Sequence, residues 1–230
     1  MDKYRHEYKY YIDSGQRRIL LMKAKALMRR DSNAGNDGCY VIRSLYFDDA
    51  DDTCFYQNEA GCDPRAKYRI RFYNEDTSFI RLEKKSKRRG MTLKHSCRLT
   101  REEAGILASG SFPAVNAEMP EQKRLLLAQM QLHGLKPKVI VTYSRIPFIY
   151  PAGNVRITFD SDITSSDETD RFLSCDYRQR PVLPIGRSIL EVKWDELLPL
   201  HIKGMMQLDT LQWSTFSKYY TCRLINLGGF

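Results

Sequence analysis

Between Lys67 and Arg98 three consecutive segments carry charge at alternate positions, on a face where a strand would ordinarily set its core. In Ala66 to Tyr73 a period of two puts Lys67, Arg69 and Arg71 on one side, with Tyr68, Ile70 and Phe72 on the other. Phe79 to Lys85 sets Arg81, Glu83 and Lys85 together in the same way. After a charged turn at Lys87-Arg88-Arg89-Gly90, Met91 to Leu99 offers Lys94, Ser96 and Arg98. One such face alone reads as the solvated side of an antiparallel sheet. Three adjacent rows of like charge repel one another, and a shared polyanion removes that conflict. Glu83, a carboxylate among these cations, is a candidate to hold a divalent metal that bridges to phosphate oxygens.

Other segments repeat the pattern. Tyr4 to Ile12 alternates with Arg5, Glu7 and Lys9 on one face, a row that also reads as an edge strand charged against aggregation. Val41 to Phe47 is a second strand, in which Arg43 falls on the face of Leu45 and Phe47 without an evident role. Val139 to Arg145 and Val155 to Asp162 are further strands, the latter alternating Arg156, Thr158 and Asp160 with Val155, Ile157 and Phe159. Ile189 to Trp194 places Glu191 beside Lys193 on one face. In all, eight strands are expected.

Helices are expected around them. Ser14, as N-cap, opens one that runs to about Arg30, with Arg17, Arg18, Lys23, Lys25, Arg29 and Arg30 mainly off its apolar stripe. Asp48 to Asp52 lacks the glycine and terminal glutamate of a calcium loop, so it reads as a turn and helix N-terminus. Thr100-Arg101-Glu102-Glu103 forms a capping box for a helix to Ala108, and Pro120-Glu121 starts another that ends near Gly134. Asp31 to Gly38 and Thr164 to Arg187 read as loops, and the tail is helical over Pro199 to Leu208 and Ser214 to Leu224.

In order along the chain, Arg5-His6-Glu7-Tyr8-Lys9-Tyr10, Ser44-Leu45-Tyr46-Phe47-Asp48, Lys67 to Tyr73 and Leu82-Glu83-Lys84-Lys85 resemble the VTC domain of polyphosphate polymerases. This family sits among the triphosphate tunnel metalloenzymes, or CYTH-like proteins. The match continues through Tyr143-Ser144-Arg145, Arg156 to Asp160, Leu190-Glu191-Val192-Lys193 and Phe216-Ser217-Lys218-Tyr219. No single piece is specific, whereas the ordered set is. The resemblance implies a β-rich α+β fold, an eight-stranded antiparallel barrel closed into a tunnel, with flanking helices and residues 1–230 forming one domain.

It also implies a reaction in which the terminal phosphate of ATP moves onto a growing polyphosphate chain with Mn2+ or Mg2+ as cofactor. Glu191 is the first candidate ligand for that metal, with Glu7 and Glu83 beside it. The expected catalytic set is Lys9, Arg69, Arg71, Lys85, Lys94, Arg145, Lys193 and Lys218. Substrate contacts are expected from Arg5, Arg69, Arg71, Lys85, Lys94, Arg145, Arg156 and Lys218, since guanidinium forks suit phosphate oxygens. Two other readings stay open: a triphosphatase of the same fold, and a non-catalytic module that binds polyphosphate or nucleic acid.

Composition agrees with an anionic partner. Lysine and arginine number 37 against 28 acids, a formal charge of +9. ATP, triphosphate and polyphosphate are the expected partners; without Walker A, RRM or zinc-finger spacing, no specific nucleic acid is expected. No run approaches the roughly 18 apolar residues of a membrane span, and Met1 to His6 lacks a signal-peptide core, so the expected location is cytoplasmic. Six scattered cysteines without a CxxC pair fit reduced thiols. The four histidines show no metal-ligand spacing and receive no role.

Overall fold

A computed structural model describes residues 4–32, 34, 35 and 37–229 of the chain. Met1 to Lys3 of the expected non-signal start, and Asn33 and Asn36 of the expected loop, lie outside the described residues. The elements run β1 (His6–Ile12), α1 (Ser14–Leu27), β2 (Arg29–Arg30), β3 (Tyr40–Asp48), α2 (Thr53–Glu59), β4 (Arg65–Tyr73), β5 (Asp76–Arg88) and β6 (Met91–Leu99). Then follow α3 (Arg101–Ala108), α4 (Glu121–Leu132), β7 (Lys136–Tyr150), β8 (Val155–Ser166), β9 (Arg180–Pro181), β10 (Ser188–Trp194), α5 (Leu200–Met205), β11 (Gln212–Trp213) and α6 (Lys218–Asn226). No helix among the described residues is long and apolar enough to cross a membrane.

The strands form one antiparallel sheet in the order β11-β1-β10-β8-β7-β3-β4-β5-β6, with β2 beside β7 and β9 beside β8. This corrects the expectation of a closed eight-stranded barrel. The sheet has 11 strands, and its ladder does not close. Its two ends meet at one bridge, where Arg5 and Thr92 exchange backbone hydrogen bonds of 3.0 Å. The reason lies at the edge of β1: Tyr10 and Tyr11 pair with β11 and the Lys9 carbonyl accepts from Ser214, leaving only the Arg5 end free to reach β6. The eight expected strands are the long ones, and the three further strands are two-residue pieces.

Each face of the curled sheet has its own packing. On the outer face, Phe47, Ile70 and Leu82 pack with Leu107, Leu127 and Met130 of α3 and α4. Further round, Ile12, Phe159 and Val192 pack with Leu20, Ala24 and Ile202 of α1 and α5. A third cluster lies on the inner face, where Ile42, Val139, Val141 and Ile189 receive Tyr219 and Cys222 of α6. The C-terminal helix therefore fills one part of the concavity with apolar side chains. The charged remainder is the site.

Several local expectations shift. Asp13, not Ser14, caps α1: its Oδ1 accepts from the Gln16 amide at 2.8 Å, and Gln16 Oε1 accepts in return from the Asp13 amide. The helix stops at Leu27 because Arg29 and Arg30 pair with Ile149 and Phe148 instead. β7 passes beyond Arg145 through Pro147, whose fixed φ suits extended backbone and whose carbonyl accepts from the Asp31 amide at 3.4 Å. β8 likewise runs past Asp162, which takes a left-handed φ of 53° where the β7–β8 register shifts. The tail helices are shorter than expected, α6 being capped by the Ser217 hydroxyl. The acidic run does serve a helix start, with Asp48 accepting from the Cys54 and Phe55 amides and Asp49 from that of Thr53. Arg43 ties down a loop outside the sheet, bonding Glu75 and the Phe172 and Ser174 carbonyls.

Candidate active site

Because side chains alternate along a strand, the inner face collects the odd-numbered residues of β4 and β5 and the even-numbered ones of β6. These and the inner residues of β1, β7, β8 and β10 enclose a cavity of about 460 Å³. Thirteen lysines and arginines line it against two glutamates, Glu7 and Glu191, so the walls demand an anion of several charges. Arg5, Lys9, Arg69, Arg71, Lys85 and Lys94 all reach it, and so do Arg145, Arg156, Lys193 and Lys218. Of the residues expected there, Glu83 alone is not on the cavity surface.

Glu83 is 1% exposed and stands behind the cations. Arg69 donates to its Oε2 from Nε at 2.8 Å and from Nη2 at 2.6 Å, Lys94 sits 3.2 Å from Oε1, and Arg71 lies 3.9 Å away. Burial alone would raise its pKa, but Arg69, Arg71 and Lys94 hold it well below the usual carboxylate range. Arg71 also donates to Ser44 Oγ and the Tyr143 hydroxyl, each at 3.1 Å, so its fork is fixed before any ligand arrives.

A second buried carboxylate was not among the expected site residues. Asp160, with no exposed surface, accepts both arms of Arg145 at 2.6 and 2.7 Å and holds Lys218 Nζ at 2.6 Å. Burial disfavours the Lys218 charge, yet Asp160 beside it raises the ammonium's pKa above its ordinary value. The Lys218 ammonium lies 4.7 Å from the centre of the Tyr143 ring. Burial pushes that phenol up in pKa, and Arg145, Arg71 and Lys218 together bring it below its ordinary value.

Glu7 and Glu191 form the one acidic spot of the wall. Lys85 binds both Glu7 oxygens at 2.8 and 2.6 Å, Lys9 lies 3.3 Å away, and Lys193 sits between Glu7 and Glu191 in direct contact with the latter. Desolvation works against ionisation of both, but the lysines and Arg145 keep each carboxyl well below its usual pKa. Desolvation also lowers Lys85, to about 8, with Glu7 opposing the fall and Lys9 and Lys193 adding to it.

No cluster of three or more acidic, histidine or cysteine side chains able to hold a metal occurs among the described residues. A divalent cation bound with substrate phosphate needs only one or two protein carboxylates, however, and two ionised ones face the cavity here. Opposite Glu191 on β8, the buried Thr158 hydroxyl has no hydrogen-bond partner among the described residues. Glu7 and Glu191 thus fit such an ion. Glu83 differs from them in lying behind the wall, off the cavity surface.

Lys67 belongs to the basic row of β4 and lines the cavity, though it is not among the expected site residues. Its ammonium lies 2.5 Å from Asn58 Oδ1 and 2.7 Å from Ser217 Oγ, with no carboxylate in contact among the described residues. Desolvation, then Lys9, Arg65 and Lys85, lower its pKa well below that of an ordinary lysine. Arg5 and Arg156 stand more exposed, each beside an acid: Arg5 lies 2.8 Å from Asp195, and Arg156 lies 2.7 Å from Asp31.

The sequence profile of the VTC domain matches residues 4–225. The chain belongs to the VTC domain family. Solved structures similar to this VTC domain include the candidate adenylyl cyclase HpAC1 from Hippeastrum, reported with a dominant triphosphatase activity. The two share 13% identity at a TM-score of 0.55, over 100% of this chain and 97% of that one. A candidate adenylate cyclase from Bacillus halodurans aligns at 16% identity and a TM-score of 0.52, over 90% of this chain and 88% of the other. Both likenesses concern the fold. None of the curated proteins compared with this VTC domain matches it.

Proposed function

We propose that this VTC domain is a polyphosphate polymerase, moving the terminal phosphate of ATP onto the end of a polyphosphate chain held in the cationic cavity. The observation that carries this is the wall itself: thirteen cations and two glutamates, with the two buried acids Glu83 and Asp160 set behind the cations as counter-ions. The chain's terminal oxygen forms a bond to the γ-phosphorus of ATP. The bond from that phosphorus to the β–γ bridging oxygen breaks, and ADP leaves with the electron pair. Such a transfer needs positioning and charge neutralisation more than covalent help from the protein.

In this reading Arg69, Arg71 and Arg145 orient phosphate oxygens through forks already set by Glu83, Ser44 and Asp160. Lys9, Lys85, Lys94, Lys193 and Lys218 supply mobile or fixed charge along the chain, and Arg5 and Arg156 extend the contacts to the ends of the cavity. Glu191 and Glu7 would hold the divalent metal, Mn2+ or Mg2+. When bound, such an ion would supply charge neutralisation at the phosphate oxygens. The protein works in the cytoplasm, where ATP is supplied.

Incubation with ATP and manganese, with long-chain polyphosphate, ADP and free phosphate measured separately, tests the proposal. Polymer with ADP in step supports it. Free phosphate without polymer makes the site a triphosphatase, and tight chain binding with no turnover makes it a binding module.

A further inference from the structure

The inner face does not end with the cavity. Along β5 it continues from Glu83 to Arg81 and Phe79, and along β6 from Lys94 through Ser96 to Arg98. Arg71, Arg81 and Arg98 are direct cross-strand partners, so three arginines stand abreast on β4, β5 and β6. Like charges directly opposite one another destabilise a sheet unless something compensates them. Arg71 has Glu83 nearby, whereas Arg81 and Arg98 pair with no carboxylate among the described residues.

Both instead lie over the same ring. Each guanidinium carbon is 5.4 Å from the centre of Phe79, itself 42% exposed, and Arg98 Nη2 also donates to the Ser78 carbonyl at 2.9 Å. Two rotamer-rich cations are thus held beside one another with unused donors. Edge protection accounts for Arg98 on the edge strand β6 but not for Arg81, because β5 is flanked by strands on both sides. A little farther out, Arg101 reaches Thr77 Oγ1 at 2.6 Å and borders, with Arg98 and Lys123, a shallow hollow of about 470 Å³. On β5 and β6 the cations therefore continue about four residues of strand, or roughly 13 Å, beyond Lys85 and Lys94, which line the cavity on those strands.

We propose that Arg81 and Arg98 form a docking site for the part of a polyphosphate chain that is too long for the cavity. The inference rests on the reading of the cavity as a phosphate-binding site. Polyphosphate fits better than a nucleic acid, because Phe79, the exposed aromatic ring of this patch among the described residues, is already engaged by both guanidiniums and is not free as a platform for base stacking.

The test compares affinities, without metal, of the full chain for tripolyphosphate and for long-chain polyphosphate. Arg81→Ala/Arg98→Ala is expected to weaken long-chain binding about tenfold or more while changing tripolyphosphate affinity less than about twofold, as loss of two charge-assisted contacts outside the cavity requires. Arg18→Ala/Lys25→Ala, which removes the same charge from α1, is expected to change neither. Equal losses for both ligands, no loss for the long chain, or an equal effect of the α1 pair would overturn the proposal. So would oligonucleotide binding that falls with the Arg81/Arg98 pair while polyphosphate binding does not. An unmutated protein that binds neither phosphate ligand removes the cavity reading and this extension together. If tripolyphosphate binds and only the chain-length effect is missing, the extension alone fails. Should the double variant not fold, Phe79→Leu removes the ring that holds both guanidiniums and is read by the same two affinities.

Discussion

Asp160 holds Arg145 and Lys218 at once and has no exposed surface, so its charge cannot be removed without leaving two buried cations uncompensated. Asp160→Asn is expected to cost about 3 to 5 kcal/mol of stability, read from denaturant unfolding. Glu191→Gln should behave differently, since it deletes a charge that repels phosphate together with a proposed metal ligand. Manganese-dependent turnover is expected to be lost, with metal-free polyphosphate binding unchanged or tighter. Arg71→Ala should weaken binding and turnover together, by about 1.5 to 3 kcal/mol, because a positioning contact is lost in ground and transition states alike. Lys85 adds a pH dependence. With a pKa of about 8 when folded, it holds its proton and attracts phosphate below that value, so triphosphate affinity should fall between about pH 7 and 9. For stability the sign reverses: from about pH 8 up to the unfolded value near 10.4, the unfolded chain binds the extra proton, and this group's contribution to stability rises with pH. Titration of affinity and of unfolding free energy over the same range checks both. At this scale the cavity wall was legible because a period of two makes every second residue of a strand a neighbour. Asp160 lay in the same alternation as Arg156, but alternation alone does not show which acid is buried beneath two cations. Lys67 lay in the row of Arg69, yet its lack of an acidic partner depends on α2 and the Ser217 cap, far away in sequence.

Elements were legible where their own residues decide them. The eight long strands, the capping box at Thr100 and the acidic start of α2 all follow from local pattern. What escaped was decided by distant partners. β2 exists because Arg29 and Arg30 find β7, and the sheet stays open because β11 occupies the edge of β1. Nor does the amphipathic tail announce that α6 enters the concave face rather than covering the outside. Its seat there depends on Tyr219, whose hydroxyl donates to the buried Asp48 Oδ2 at 2.5 Å while Asp48 also holds the first turn of α2. Burial and the Asp48 carboxylate accordingly raise the Tyr219 pKa well above that of a free phenol. Tyr219→Phe leaves that carboxylate short of a donor and is expected to cost about 1 to 3 kcal/mol. The corresponding fall in melting temperature is about 2 to 4 °C per kcal/mol for a chain of this size. Because α6 also carries Lys218 to the cavity, the same variant should lose triphosphate affinity if the helix shifts, and retain it if the loss is purely one of stability.

The whole molecule pairs a formal charge of +9 with a cavity where thirteen cations face two glutamates, so the folded state holds like charges close together that the unfolded chain would disperse. Self-repulsion of this kind lowers stability in the absence of a ligand. Polyanions that bind only the folded state should therefore stabilise it by mass action, by about 2.7 kcal/mol when the free ligand reaches 100 times its dissociation constant. For a protein of this length that corresponds to a rise in melting temperature of roughly 5 to 10 °C. Triphosphate should act at lower concentration than phosphate or sulfate, because one molecule engages several cations of the wall. Added sodium chloride should reduce the rise, as the screening length shortens from about 10 Å at 0.1 M to about 3 Å at 1 M. The loss should nevertheless be incomplete, since Arg71 and Arg145 are buried in the wall and screened less than the half-exposed Lys94. Melting curves across a series of triphosphate concentrations, each at low and high salt, make the comparison. A melting temperature indifferent to triphosphate from micromolar to millimolar concentration would show that the cavity cations are not gathered for a phosphate chain, whatever their number.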